Sequence, residues 1–280
     1  MKIVALIENR KLDLPNIKAE HGVSLYMENN NKKILFDLGQ GEAFFNNAKA
    51  LGIDISEVDY AIISHGHSDH GGGLKCFLEN NTKAKVIMKK SALENHFVGV
   101  FGLKFNCGLD NKFINKNLDR FIFIEDDYTL DENMKIVANI GKKYPLAATN
   151  NNIYKLEQGK KVQDDFNHEL IVTVRENNKI IVFSSCTHSG MLNIIGTVKE
   201  HYNDKDKLVI IGGFHLRNPV GKKNSEADEK ITNMANILAA DSCIEKIYTG
   251  HCTGDRPYGI LKDILKDRIE EFHTGQVIVI

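Results

Sequence analysis

The stretch SHGHSDHGGG, residues 64–73, sets His65, His67, Asp69 and His70 within six positions of a chain that holds 11 histidines in 280 residues. Imidazoles this close repel one another if protonated and cost folding energy if buried without partners. One or two metal ions relieve both problems. In an extended segment the side chains at i and i+2 face the same way, so His65 and His67 are placed to grip one ion together. The chain must then turn, which Gly66 and the run Gly71, Gly72 and Gly73 permit. After the turn, Asp69 and His70 address a second ion, and a helix is expected to start near Gly72. Imidazole nitrogens with one carboxylate oxygen suit zinc, iron or manganese better than magnesium or calcium. Such ions lower the pKa of water to near 7 and, in pairs, clamp the oxygens of a reacting group.

Outward from this cluster, short apolar strands alternate with amphipathic helices. KKILFDLG (32–39) reads as a buried strand closed by Gly39. GEAFFNNAKALG (41–52) reads as a helix stopped by Gly52. VDYAIISH (58–65) is a strand that runs straight into the histidines. The last third repeats one plan three times. KIIVFSSCTHSG (179–190), KLVIIGGFHL (207–216) and CIEKIYTGHCTG (243–254) are each a strand and loop followed by a helix. The helices align Met191, Ile194, Ile195 and Val198, then Ile231, Met234, Ala235 and Leu238, then Leu261, Ile264 and Leu265 on one face. GQVIVI (275–280) reads as a final strand. In each repeat a histidine follows the apolar strand: His188, His215 and His251. Open α/β sheets bind ligands at the carboxyl ends of their strands, so these loops can serve one site with the opening cluster. The less regular middle, about 90–165, reads as an insertion that covers the site within a single domain spanning 1–280.

Bulk composition excludes several classes. Lys and Arg number 36 against 37 Asp and Glu, so no net field draws in nucleic acid or an anionic membrane. Hydrophobic residues make up 42%, enough for a sizeable core. The five cysteines are spread without a C-x-x-C pair, which points to a reducing compartment. MKIVALIENR lacks the apolar length of a signal peptide, and no run approaches a membrane span. The expectation is a cytoplasmic protein acting on a small molecule, without nucleic-acid or membrane partners, and with a homo-oligomer left open.

HGHSDH resembles the HxHxDH motif of the metallo-β-lactamase superfamily, and ILFDLG resembles that superfamily's strand ending in an Asp, here Asp37. VFSSCTHSG and YTGHCTG fall where its later metal-binding strands end. Together with EHGVSLYMENNNKKILFDLG, DDFNHELIVTV, SSCTHSGMLNII and GGFHL they look like its dihydropteroate-synthase-like branch, which includes the ribofuranosylaminobenzene-phosphate/dihydropterin synthases. The resemblance implies an αββα sandwich, two mixed sheets flanked by helices, with a dinuclear site at one edge. It implies two divalent transition-metal ions, zinc first, with iron or manganese as alternatives. Residue by residue, His65 and His67 match the first-metal pair. Asp69 and His70 match the second-metal pair, and Asp69 or a bound water is expected to handle a proton. His251 matches the last ligand, and His188 is the choice for the remaining one. The superfamily's bridging Asp has no counterpart here: its place reads Ser185-Cys186-Thr187-His188. Cys186 and His215 are therefore weighed as further ligands or substrate contacts. Asp37 is expected to orient the metal loop. His21 either reaches the site or ends a turn. His168 is expected at the surface, Lys142 and Lys143 as solvated loop charges, and Arg256 near an anionic substrate. The implied activity is a metal-dependent hydrolase using an activated hydroxide on a small anionic substrate, a phosphate ester or a pterin-like compound. The alternatives are a synthase or transferase on a dihydropterin-type substrate and a di-iron redox enzyme.

Overall fold

The computed structural model describes residues 1–203, 205–217 and 225–280. The chain divides into two compact units, the first made of residues 1–97, 106–125 and 272–280, the second of 98–105 and 126–271. Among the described residues, the first unit is built on a seven-stranded sheet. Its order is Val277–Val279, Lys2–Ile7, Ser24–Asn29, Lys32–Phe36, Tyr60–Ile62, Lys85–Lys89 and Phe121–Ile124. The first three junctions are antiparallel and the last three parallel. The helices Ala43–Ala50 and Leu74–Asn80 bury Phe44, Ala48, Leu74 and Phe77 among Val4, Leu6, Leu35, Val86 and Met88 of the sheet. Gly52, with φ +73°, ends the first of these helices as expected.

The second unit carries another seven-stranded sheet, ordered Ile269–Glu271, Ile244–Thr249, Lys207–Gly212, Lys179–Ser185, Ile171–Glu176, Met134–Val137 and Tyr128–Thr129. Its first four strands run parallel. A parallel strand is covered on both faces, and Lys179–Ser185 is accordingly buried from Ile180 onward. The helices Met191–His201, Asp228–Ala240 and Asp255–Leu265 follow the three repeats. They bury Met191, Ile194, Ile195 and Val198, then Ile231, Ala235 and Leu238, then Leu261 and Leu265, the stripes that the spacing predicts. Met234 and Ile264 pack at the margin of the same core. A smaller sheet, ordered Lys160–Gln163, Ile153–Glu157, His96–Val100 and Leu103–Asn106, lies in this unit except at the ends of its last two strands. Each unit is thus a mixed sheet with helices packed on it, the α/β class expected. No helix among the described residues is long and apolar enough to cross a membrane.

Candidate metal centre

The strand Tyr60–Ile62 delivers the chain into residues 64–73, and helix starts earlier than Gly72. Residues Ser68–Gly71 already form a helical turn, with His67 extended before it, and a second helix begins at Leu74. Asp69 and His70 therefore sit on a helical turn, which brings His70 back over His65. The ring of His65 lies 4.6 Å from that of His67 and 4.3 Å from that of His70. All three histidines are buried. Gly66 is required by close approach: a Cβ there would stand 2.6 Å from the Ala92 carbonyl oxygen and 2.8 Å from His96 Nε2. Gly72 is held the same way, its missing Cβ 2.2 Å from the Gln40 carbonyl oxygen.

Asp37 organises this loop. Its Oδ1 accepts the Ser64 backbone N–H at 2.8 Å, and its Oδ2 accepts both Ser64 Oγ–H and His70 Nδ1–H at 2.8 Å. Because Ser64 donates its only proton to Asp37, its contact with His65 Nδ1 at 2.8 Å makes that ring nitrogen the donor. Both His65 and His70 are thereby set in the Nδ1–H tautomer, and Nε2 is the atom each can offer to a cation. Asp69 Oδ2 lies 3.5 Å from His70 Nε2 and 3.4 Å from His21 Nε2, so His21 reaches the cluster. Burial opposes a charge on His70, but the carboxylates of Asp69 and Asp37 outweigh it and hold its pKa up to about 10. The pocket thus favours a positive charge at this ring. Buried imidazoles with fixed tautomers, one carboxylate and a negative local field form a donor set that fits a divalent transition metal. His96, with no motif to mark it, is buried with its ring 5.7 Å from that of His67.

The second unit gathers its own set. His188 follows the strand Lys179–Ser185, and its ring stacks on Phe166 at 4.6 Å and lies 4.1 Å from the ring of His215. Asn150 positions it twice: Nδ2 donates to the His188 carbonyl at 2.9 Å, and Oδ1 meets His188 Nδ1 at 3.0 Å. Glu169 accepts the backbone N–H groups of His188 at 2.8 Å and Ser189 at 2.7 Å. Burial pushes Glu169 up to about 7, against the pull of those donors and of His215. Cys186, His215 and Cys252 bring their ligating atoms within 4.8 Å of one another. Burial raises the Cys252 thiol, but hydrogen bonding to Cys186 and His215 and the nearby His251 and His215 rings leave it well below the ordinary thiol range. Ser185, Thr187, His215 and His251 all have positive φ, between 46° and 59°. Backbone held in that region clusters at working sites.

His168 departs from expectation, whereas Lys142 is an exposed loop charge as expected. His168 is buried, not at the surface, because Asp164 Oδ1 meets its Nε2 at 3.3 Å inside the second unit. Arg256 is engaged with the Glu226 carbonyl at 2.6 Å and with Asp228, so it serves the loop before a helix. Lys142 donates to the Asp165 carbonyl at 3.1 Å and to Asn167 Oδ1 at 2.8 Å. Asn150, Glu169 and Cys252 carried no sequence signal that singled them out; Cys252, one residue after His251 in YTGHCTG, was the nearest to one.

The model of the metallo-beta-lactamase superfamily matches residues 18–127. The chain is 32% identical to an uncharacterized protein of Methanocaldococcus jannaschii, MJ0448, over 71% of this chain and 73% of that one. It is 28% identical to the 7,8-dihydropterin-6-methyl-4-(beta-D-ribofuranosyl)-aminobenzene-5'-phosphate synthase of the same organism, over 93% of this chain and 90% of the relative. The crystal structure of Tm1679, a metal-dependent hydrolase of the beta-lactamase superfamily, superposes with a TM-score of 0.81 at 27% identity, covering 100% of this chain and 99% of that one. A cluster built on HxHxDH and steadied by Asp37, in a chain whose relatives and fold agree, makes this protein a member of the metallo-β-lactamase superfamily.

Proposed function

We propose that the chain is a metal-dependent hydrolase acting on a small anionic substrate, a phosphate ester or a pterin-like compound. The observation that carries this reading is the Asp37 network, whose hydrogen bonds at 2.8 Å leave His65 and His70 with Nε2 as the ligating atom. His65, His67, Asp69 and His70 would hold the ions, joined by His188 and His251, with zinc the first choice and iron or manganese the alternatives. When bound, a divalent ion lowers the pKa of water and polarises an acceptor oxygen. The chain's own groups do the rest. Asp37 and Ser64 keep the imidazoles oriented, and Asn150 and Glu169 do the same for His188. Asp69, with its side chain one-fifth exposed and His21 beside it, takes up the proton of the attacking nucleophile at Oδ2. Residues 90–165 set which substrate is admitted.

A second reading is favoured by the relative named as a dihydropterin ribofuranosylaminobenzene-phosphate synthase: a synthase or transferase on a dihydropterin-type substrate. The test is to load the metal-stripped protein with zinc, manganese or iron and offer phosphate esters, and separately a dihydropterin carrying a leaving group with a ribofuranosylaminobenzene-phosphate acceptor. Hydrolysis of an ester that vanishes in His67→Ala supports the first reading. Joining of the pterin to the acceptor supports the second. Turnover that survives His67→Ala removes both.

A further inference from the structure

One edge of the first unit's sheet lacks the devices that guard the other sheet edges. Val277–Val279 is the outermost strand there and pairs antiparallel with Lys2–Ile7 on one side. The ladder reaches past its ends. The Met1 amino group donates to the Ile280 carbonyl at 2.6 Å, Ile280 N–H donates to the Met1 carbonyl at 3.0 Å, and Ala5 N–H donates to the Gln276 carbonyl at 3.0 Å. Backbone groups alternate in direction along an antiparallel strand, so Gln276, Ile278 and Ile280 face the neighbouring strand while Val277 and Val279 turn their N–H and C=O groups to the open edge. Val277 is 52% exposed and Val279 76%, on the face opposite the buried Ile278. Leu12 and Leu14, also exposed, lie beside the start of the strand: a Cβ on Gly275 would stand 3.0 Å from Leu14 Cδ1 and 3.9 Å from Leu12 Cβ. Native sheets blunt open edges with charge, brevity or cover. Among the described residues the other sheet edges follow that rule. Phe121–Ile124 is buried at both ends, Ile269–Glu271 carries Glu270 and Glu271, and Tyr128–Thr129 has 2 residues. Lys160–Gln163 begins with Lys160 and Lys161, and Leu103–Asn106 carries Lys104. GQVIVI, residues 275–280, holds neither a charge nor a proline.

We propose that this edge is an interface between two copies of the chain, joined by antiparallel pairing of their Val277–Val279 strands about a two-fold axis at Ile278. The strand is its own complement. In this register Val277 of each copy lies opposite Val279 of the other, and Ile278 lies opposite Ile278. Each Val277–Val279 pair then exchanges both of its N–H···O bonds, because these are the residues whose backbone groups face outward. The valines of both copies meet on one face as β-branched cross-strand pairs, which stabilise a sheet. The paired strands bury no charge and set no like charges opposite each other. A second copy fits better than a foreign strand because the V-I-V palindrome matches itself, and a two-fold interface uses one patch twice. The contact is small, and interfaces below about 1,200 Å² belong to the weak class. A dissociation constant of about 1–100 μM is therefore expected.

The test is sedimentation velocity of the full chain under reducing conditions, from about 1 to about 300 μM so as to span that affinity. The expected result is a sedimentation coefficient that rises with concentration to the dimer value and no further, since two-fold pairing uses up the edge. Val279→Lys sets a cation in each valine pair, on a side chain already exposed, and weakens association by about tenfold or more. Phe101→Ser removes a side chain that is 89% exposed in the other unit and leaves association unchanged. Hydrogen exchange on the wild type gives a measurement that needs no variant: the Val277 and Val279 amides become more protected at the top of the concentration range. It decides the matter should Val279→Lys fail to fold. A chain that stays monomeric throughout, or that grows beyond a dimer, overturns the proposal. So does full association in folded Val279→Lys, its loss in folded Phe101→Ser, or exchange at Val277 and Val279 that ignores concentration. Turnover is not a readout, so the proposal stands or falls apart from the hydrolase reading.

Discussion

Asp37 accepts three hydrogen bonds at 2.8 Å while fully buried, and each one fixes a group of the histidine loop. In Asp37→Asn the amide N–H₂ opposes a donor, either the Ser64 hydroxyl or His70 Nδ1–H, and the tautomers of His65 and His70 are no longer set. The expected outcome is a folded protein with metal affinity about 10- to 100-fold weaker, the range typical for such supporting groups. Competition with a chromogenic chelator measures it, and an unchanged affinity would show that Asp37 serves only the fold. Gly66 is the second sensitive residue. In Gly66→Ala the new methyl meets the Ala92 carbonyl and the His96 ring, a backbone and a buried contact that cannot simply swing away. A loss of about 1–3 kcal/mol in chemical denaturation is expected from such overpacking. A variant as stable as wild type would mean that the loop 91–96 yields easily.

Elements of the second unit are tied by single polar residues. Arg268 closes the helix Asp228–Ala240 by donating to the carbonyls of Ala239 at 2.8 Å, Leu238 at 3.0 Å and Asp241 at 2.8 Å, and it reaches the Ile244 carbonyl at 2.8 Å where the next strand begins. Those carbonyls are the orphan acceptors of a helix end. Arg268→Ala should cost about 2–4 kcal/mol, since hydrogen bonds to a charged donor contribute about 1.5–3 kcal/mol each and water replaces only some of them. Glu169 gives a pH signature to the loop that carries His188. Its pKa is raised from 4.5 to about 7 on folding, so between those values the folded chain keeps a proton that the unfolded chain has released. Stability therefore falls as pH rises from about 5 to 7, by ~3 kcal/mol at 1.36 kcal/mol per unit. Glu169→Gln should flatten that slope in metal-stripped protein. Urea midpoints at pH 5, 6 and 7 read it directly, and an equal slope in both proteins would assign the proton uptake elsewhere.

For the molecule as a whole, a ligand that binds only the folded state adds stability by mass action. An ion at about 100 times its dissociation constant contributes ~2.7 kcal/mol. At about 2–4 °C per kcal/mol for units of this size, chelation should lower the melting midpoint by ~5–10 °C. Calorimetry before and after removal, then with zinc restored, tests this; a midpoint indifferent to chelation would leave the histidine cluster without an ion to hold.

Much of this architecture could be read along the chain, because periodicity and spacing are local. Ile231, Ala235 and Leu238 share a face by helical geometry alone, and His65, His67, Asp69 and His70 are neighbours in sequence before they are neighbours in space. The helix starting at Ser68 escaped that reading, since the glycines after it suggested a turn and the backbone hydrogen bonds that hold it to the rest of the chain go to Val23, Leu38 and Cys107, distant in sequence. The supports of the site were hidden for the same reason. Asp37 meets His70 across 33 positions, Asn150 meets His188 across 38, and His215 meets Cys252 across 37. His168 looked like a surface residue because polarity in DDFNHE says nothing of which neighbours will enclose it. Short-range order follows from backbone sterics and the burial of apolar stripes, which each segment carries with it. Which carboxylate orients which imidazole, and which sulfurs share a loop cluster, follows from packing between distant segments, and no single segment holds that information.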